Sequence, residues 1–257
     1  MSPHPKRIRD PVVPHPPLRR FYPNESDHRR FVGDLFDTGA EHYEWINRVM
    51  SLGSGSRYRR DALCRAGVGP GMTVLDVCAG SGQVSRVALE LVGGGGSVVA
   101  IDASLRMLNE ARTYVDIPLV SGRVEKLPFA ENLADAITMG YALRHVSDLR
   151  ETFRGFHRVL KPGGTLLLIE FERPRSRILH GLFRAYLGVV VPTIARIKGR
   201  DAARMMSYFW ETIEFCVPAE TILDTLEEAG FDAPKKYGQM ELFAEYTATK
   251  PAAPPPF

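Results

Sequence analysis

A chain of 257 residues, 44% hydrophobic and 25% charged, can bury a substantial core and has the composition of a globular protein. Its net charge of +3 gives no case for nucleic acid as a partner. Three cysteines (Cys64, Cys78 and Cys216) have neither paired nor metal-ligand spacing, which argues against a disulfide framework and a metal site and fits a reducing, cytoplasmic compartment.

Residues 1–23 are rich in proline, carry Lys6, Arg7, Arg9, Arg19 and Arg20 against one acid, and lack apolar periodicity, so a disordered basic arm is expected. Prolines stand where a signal peptide would need an apolar run. From Asp27 to Arg60 apolar residues recur at spacings of three and four (Phe31, Leu35, Tyr43, Ile46, Val49), which predicts a helical entry segment closed by Gly53 and Gly55.

The stretch VLDVCAGSG, Val74 to Gly82, reads as a buried strand ending in a tight turn, with a helix from Gln83 to Leu91 beyond it. Glycine lets the backbone pass close to a ligand, and the helix start offers free N–H groups. A second strand, Ser97 to Ile101, ends at Asp102, roughly the twenty-residue offset at which nucleotide-binding folds place a carboxylate on ribose hydroxyls. Ser85 stands where a dinucleotide fingerprint needs its third glycine or alanine, so NAD is disfavoured. A helix from Ser104 to Tyr114, strands Leu119–Ser121 and Ala134–Met139, a helix through Val159 and a strand after the KPGG turn follow in alternation. Such alternation predicts an α/β domain over 27–250 with a doubly wound, mostly parallel Rossmann-like sheet. An apolar, basic insert over about 172–215 is expected to cap a substrate, a final helix and antiparallel strands to close the fold, and 251–257 to form a loose tail. Ile178 to Ile197 is apolar, but its His180, Arg184, Pro192 and Arg196 argue against a membrane span.

The acid placed before the glycines, at Asp76, and the second acid at Asp102 resemble class I S-adenosylmethionine (SAM) methyltransferases. FDTGAEHYEWINRVMS, with Phe36, Asp37, Tyr43, Asn47, Met50 and Ser51, is similar to the N-terminal signature of the ubiquinone/menaquinone C-methyltransferases, the UbiE/COQ5 family. The succession GRVEKLPF, GYALRHVSD, RVLKPGGTLLLIEF and EEAGF extends that resemblance over roughly residues 30–248. The resemblance implies a SAM cofactor held by Asp76, Ala79, Gly80, Gly82, Asp102, Ala103, Met107, Arg123 and Val124. It implies a prenylated quinol as the methyl acceptor, in a pocket with Tyr43, Tyr186, Tyr208 and Trp210.

Methylation at a ring carbon needs the adjacent phenol to give up its proton, which calls for a cation or donor at the oxygen and a base nearby. Arg144, His145 and Tyr141, just past the fourth strand, are the candidates. The family segment is typically Gly-Leu-Arg-Asn, its Arg implicated in acceptor activation; here His145 replaces the Asn and supplies an imidazole that titrates near neutrality. Two donor-side departures stand out: Gln83 leaves no carboxylate after the last glycine, and Arg123 stands where an adenine-facing Asn or Asp is common. They keep open a SAM-using quinone amination of the rhodoquinone type, beside another phenolic or lipid acceptor and a non-catalytic scaffold. Peripheral membrane contact and a homodimer are further candidates.

Overall fold

The computed structural model describes residues 10–50 and 53–253, so Ser51 of the N-terminal signature lies outside the described residues. Two helices lead in, α1 (Glu25–Met50) and α2 (Gly55–Arg65). Then β1 (Thr73–Val77), α3 (Gln83–Val92), β2 (Ser97–Asp102), α4 (Leu105–Arg112), β3 (Leu119–Ser121), β4 (Ala134–Gly140), α5 (Leu149–Val159) and β5 (Leu160–Phe171) alternate as the apolar pattern requires. The order β3-β2-β1-β4-β5 reverses direction between β1 and β4, the point at which such sheets open a ligand crevice beyond their strand ends.

The first five strands run parallel, their faces buried by near-continuous Val, Ile, Leu and Ala such as Leu75, Ile101, Ile137 and Leu168. β7 (Phe243–Thr249) returns antiparallel beside β5, and β6 (Asp232–Gln239) closes that edge. The KPGG turn does not precede β5 but lies within it, as an irregularity opposite Ala134 and Ala136, with Gly163 at φ +79°.

Between β5 and the last helix, α9 (Ala219–Glu228), the insert forms α6 (Arg177–Ala185), a π turn at Tyr186–Val190, α7 (Val191–Ala195) and α8 (Arg200–Glu214). Arg177–Lys198 is one helical run of 22 residues, by length and composition alone apolar enough to cross a membrane, with 28% of its most apolar window buried. α8 lies along α1, where a Cβ on Gly39 would collide with the Met205 side chain. Leu35, Ile46, Leu187, Met206 and Phe209 make this a second core beside the sheet.

The arm expected to be disordered is, over residues 10–23, a strap packed on the fold. The Val12 N–H donates to Asp148 Oδ1 (3.1 Å), Leu149 N–H to the Val12 carbonyl (2.9 Å) and Val217 N–H to the Pro14 carbonyl (2.8 Å). Leu18 and Tyr22 are buried in the second core. Proline explains both the missing periodicity and the packing: an extended chain buries side chains singly, and its prolines bring no N–H that needs a partner. Residues 1–9 lie outside the described residues, as do 254–257 of the tail; 251–253 are exposed coil.

Candidate active site

A cavity of about 190 Å³ opens at the carboxyl ends of β1, β2 and β4. Its floor is the turn after β1, where Cys78 (φ +55°) and Gly80 (φ +55°) both take the left-handed conformation. A Cβ on Gly80 would meet the Tyr43 ring at an ordinary contact distance of 3.5 Å, so it is the left-handed backbone that calls for glycine there. Burial pushes the Cys78 thiol far above its usual range, which leaves it un-ionised and unreactive.

Asp102 ends β2 at the cavity wall, where Oδ2 accepts from Gly80 N–H (2.8 Å) and Oδ1 from Ser104 N–H (2.8 Å). Burial raises its pKa and these backbone donors oppose the rise. A carboxylate offers about four acceptor positions, so this one retains capacity for vicinal hydroxyls. Ala103, Arg123 and Val124 complete this side, with the apolar walls of Val77, Ile101 and Val146. Arg123 pairs with Glu125 (3.3 Å), so its charge is taken up at the rim. A Gly-lined turn, a carboxylate at the next strand end and apolar walls fit the adenosyl part of SAM.

Four sequence candidates on the donor side do not line the cavity. The Asp76 carboxylate turns into the sheet, where it accepts from Ser85 Oγ (2.5 Å) and Thr138 Oγ1 (2.8 Å); burial raises its pKa to about 6. Gly82 (φ +77°) is needed for packing, since a Cβ there would meet Val115 at 3.1 Å and Ala111 at 3.4 Å. Ala79 pins the turn through its N–H to the Ile101 carbonyl (3.1 Å), and Met107 is fully buried one turn into α4.

The acceptor side is built after β4, where Tyr141 (φ +60°), Ala142 and His145 face the cavity. Arg144 does not. Fully buried, it donates from Nε to Glu170 (2.7 Å) and from its terminal nitrogens to Thr212 Oγ1 (2.5 Å) and the carbonyls of Phe209 (3.4 Å) and Tyr141 (3.3 Å). It joins β5 to α8, while Asp148 caps α5. The His145 ring lies between Phe36 (5.2 Å, edge-on) and the stacked Tyr208 (5.4 Å) and Phe209 (5.5 Å). Burial, then the nearby Arg144 charge, holds His145 well below its usual pKa, so the ring is neutral at pH 7.

Three of the four residues assigned to the acceptor pocket stand outside the cavity. Tyr208 sits behind His145; Tyr186 donates to the Val49 carbonyl (2.7 Å) and Trp210 packs beside Phe183 and His180. Tyr208 and Tyr186 serve the contact of α8 and the π turn with α1, and Trp210 joins α8 to α6. Tyr43 does line the cavity, and α1 adds Arg29, Val32, Gly33 and Phe36, a stripe at helical spacing that also reads as core from sequence.

The missing carboxylate after the last glycine arrives from α1. Glu44 accepts from Ser81 Oγ (2.6 Å), Gln83 Nε2 (3.1 Å) and Arg86 (3.3 Å) at the start of α3. Asp37 accepts from Ser104 Oγ (2.5 Å), and Asn47 Nδ2 donates to the Tyr43 carbonyl (3.1 Å). Glu44 and Asp37 thus fasten α1 over the cavity, while the Asn47 bond stays within the helix.

The model of the ubiE/COQ5 methyltransferase family matches residues 24–247. A Legionella pneumophila protein named ubiquinone/menaquinone biosynthesis C-methyltransferase UbiE is 33% identical over 216 residues, 81% of this chain and 85% of that one. Its Pseudomonas paraeruginosa namesake is 35% identical over 215 residues, 81% and 84% of the two chains. Among solved structures, a SAM-dependent methyltransferase from Aquifex aeolicus superposes with a TM-score of 0.58 at 21% identity, over 79% of this chain and 97% of that one. One from Methanococcus maripaludis, described as a putative S-adenosyl-L-methionine-dependent methyltransferase, reaches 0.61 at 20% identity, over 86% and 96%. With the Rossmann-like sheet, the adenosyl-fitting cavity and a family match over most of its length, the chain belongs to the ubiE/COQ5 methyltransferase family and uses S-adenosylmethionine.

Proposed function

We propose that the chain methylates a ring carbon of a prenylated benzoquinol or naphthoquinol in quinone biosynthesis. SAM, when bound, supplies a methyl carbon already activated by the sulfonium. Gly80, Asp102, Ala103 and Val124 hold the adenosyl part, while Phe36 and Tyr43 on α1 keep water out. Alignment of donor and acceptor in such a space contributes on the order of 7 kcal/mol. The observation that carries the reading is that one cavity is lined both by Gly80 with Asp102 and by Tyr141 with His145. His145, neutral and beside the acceptor side, handles the hydroxyl proton; Arg144 acts at a distance by holding the turn that carries it.

Methylation is favoured over amination because both donor-side departures are compensated. Glu44 restores a carboxylate beside Gln83, and Glu125 takes up the charge of Arg123. Enzyme in the cytoplasm meeting its acceptor at a membrane face is consistent with the insert. Residues 173–200 carry seven Lys/Arg and no Asp/Glu, which leaves the remainder of the chain at −4. The same segment exposes Ile178 (80%), Leu182 (65%), Val189 (61%) and Ile197 (83%). Leu187, Val191 and Ala195 on its other face are buried against the protein, which favours lying on a bilayer over crossing it.

The test is incubation of the purified chain with SAM and a demethyl prenylated quinol, read by mass spectrometry, beside the quinone profile of cells lacking the gene. A product heavier by one methylene unit and accumulation of the demethyl quinol in the cells are expected. An unchanged methylated pool with no product overturns the reading.

A further inference from the structure

Three of the chain's seven histidines meet in one buried cluster that is not explained by packing alone. His15 on the strap and His28 in α1 are 4% and 7% exposed, their rings edge to face with centroids 5.7 Å apart. His28 Nε2 lies 3.3 Å from the Tyr208 hydroxyl, and His145 Nδ1 lies 3.4 Å from the same hydroxyl on its other side. His145 lines the cavity, and its Nε2 is buried with no hydrogen-bond partner among the described residues. An apolar side chain would fill this space without leaving a buried polar atom unpaired.

One hydroxyl between two imidazole nitrogens has a single proton to give, so the bonds run in one of two directions. In the first, His145 Nδ1–H donates to the Tyr208 oxygen and Tyr208 O–H donates to His28 Nε2, which leaves a lone pair on His145 Nε2. In the second, His28 donates, Tyr208 donates to His145 Nδ1, and His145 Nε2 carries the proton. Shifting protons along the chain therefore turns the cavity-side nitrogen from base into donor. Distances of 3.3–3.4 Å are long for such bonds, as is common before a substrate tightens them.

We propose that Tyr208 and His28 form a proton relay behind His145. As the ring carbon takes the methyl, the acceptor's O–H breaks, its electron pair staying on the oxygen, and the proton goes to His145 Nε2. The Nδ1 proton passes to the Tyr208 oxygen and the Tyr208 proton to His28 Nε2. Once the ring carbon has gained its methyl, its own hydrogen leaves as a proton to solvent, and the relay run backwards restores the hydroxyl. One proton is released per turnover and no oxidant or reductant is needed. This rests on the phenolic acceptor proposed above.

Weak bases suffice for this work. The pKa of His28 is lowered to about 4, first by burial and then by His15 from the strap, with Glu125 opposing them. Tyr22 packs on the His28 ring, and Arg144 and Arg29 add positive charge nearby. A cluster so placed does not ionise a resting phenol. It does accept the proton as the methylated ring becomes cationic and its hydroxyl becomes a far stronger acid than imidazolium.

Two measurements on the full chain decide the proposal. In 15N-histidine NMR without ligands, the His145 and His28 rings are expected to titrate together on acidification, and Tyr208→Phe to uncouple them. Independent titration in the unmodified protein overturns the relay whatever the acceptor proves to be. In turnover with SAM and a demethyl quinol, Tyr208→Phe and His28→Gln are each expected to lower kcat by roughly 10- to 100-fold, with KM and SAM affinity within about twofold. Unchanged kcat in both variants also overturns it. Absence of any quinol methylation in the unmodified protein instead defeats the functional reading and leaves the NMR coupling to decide the relay.

Discussion

Replacing Arg144 separates two roles that the sequence left together. In Arg144→Met the guanidinium that bonds Glu170, Thr212 and two carbonyls is lost, while Glu170 remains 3% exposed with a negative charge. Removing one member of a buried ion pair costs about 3–5 kcal/mol. The lower end applies, because Glu170 keeps the Leu143 (2.7 Å) and Phe171 (3.3 Å) N–H donors. At roughly 2–4 °C per kcal/mol for a chain of this size, Tm falls by about 6–12 °C. Adding Glu170→Gln removes the stranded charge and keeps an acceptor for Leu143, so the double variant regains most of the loss. Thermal unfolding followed by circular dichroism, alongside turnover, provides the assay. Arg144→Met melting within about 2 °C of the unmodified protein with turnover abolished would refute the positioning role and restore Arg144 as a group acting on the acceptor.

Asp102→Asn is expected to weaken SAM binding by about 10- to 100-fold in calorimetry, since a charged hydrogen bond contributes about 1.5–3 kcal/mol; an unchanged Kd would remove Asp102 from the donor site. Stability should also fall on acidification. The His28 pKa is about 4 folded against 6.5 for the free side chain, so the unfolded chain binds more protons between those values. Its contribution is intact above pH 6.5 and is lost as pH falls toward 4, by about 3 kcal/mol for this one ring. His28→Gln should flatten urea-denaturation midpoints across that window, and an equally steep dependence in the variant would exclude His28 as its source. Reversing Arg196, Lys198 and Arg200 to Glu should reduce sedimentation with anionic vesicles at least tenfold, given about 1 kcal/mol per basic residue near such a surface. Equal partition of the two proteins would exclude this face.

Apolar periodicity carried the fold because the inner parallel strands are buried on both faces and each crossover on one. Val74–Val77 and Val98–Ile101 can be recognised without knowing their neighbours. Gly80 and Asp102 were legible for the same reason, as consecutive strand ends whose ligand crevice follows from topology. Arg144 and His145 are adjacent in a single 3-10 turn, Leu143–His145, where successive side chains diverge. What decides which one faces the cavity is Glu170, a strand away, and local sequence does not encode that choice. The strap was misread for a related reason: its Leu18 and Tyr22 are buried by α1 and α8, not by neighbours in sequence.

The two donor-side departures show how a substitution that looks like loss can be relocation. Gln83 lacks a charge, but its amide donates to Glu44, which also receives Ser81 and Arg86 and so reproduces an acidic group at the start of α3. A carboxylate there is favoured by the helix dipole whichever element supplies it. Supplying it from α1 adds a coupling that a local aspartate would not. The helix that carries Glu44 also carries Asp37 on Ser104, Tyr43 over Gly80 and Phe36 against His145. Ser104 and Gly80 in turn donate their backbone N–H groups to Asp102. A displacement of α1 therefore disturbs the Asp102 carboxylate and the His145 imidazole together, so on the proposed reading order in α1 is a shared condition of donor binding and proton transfer.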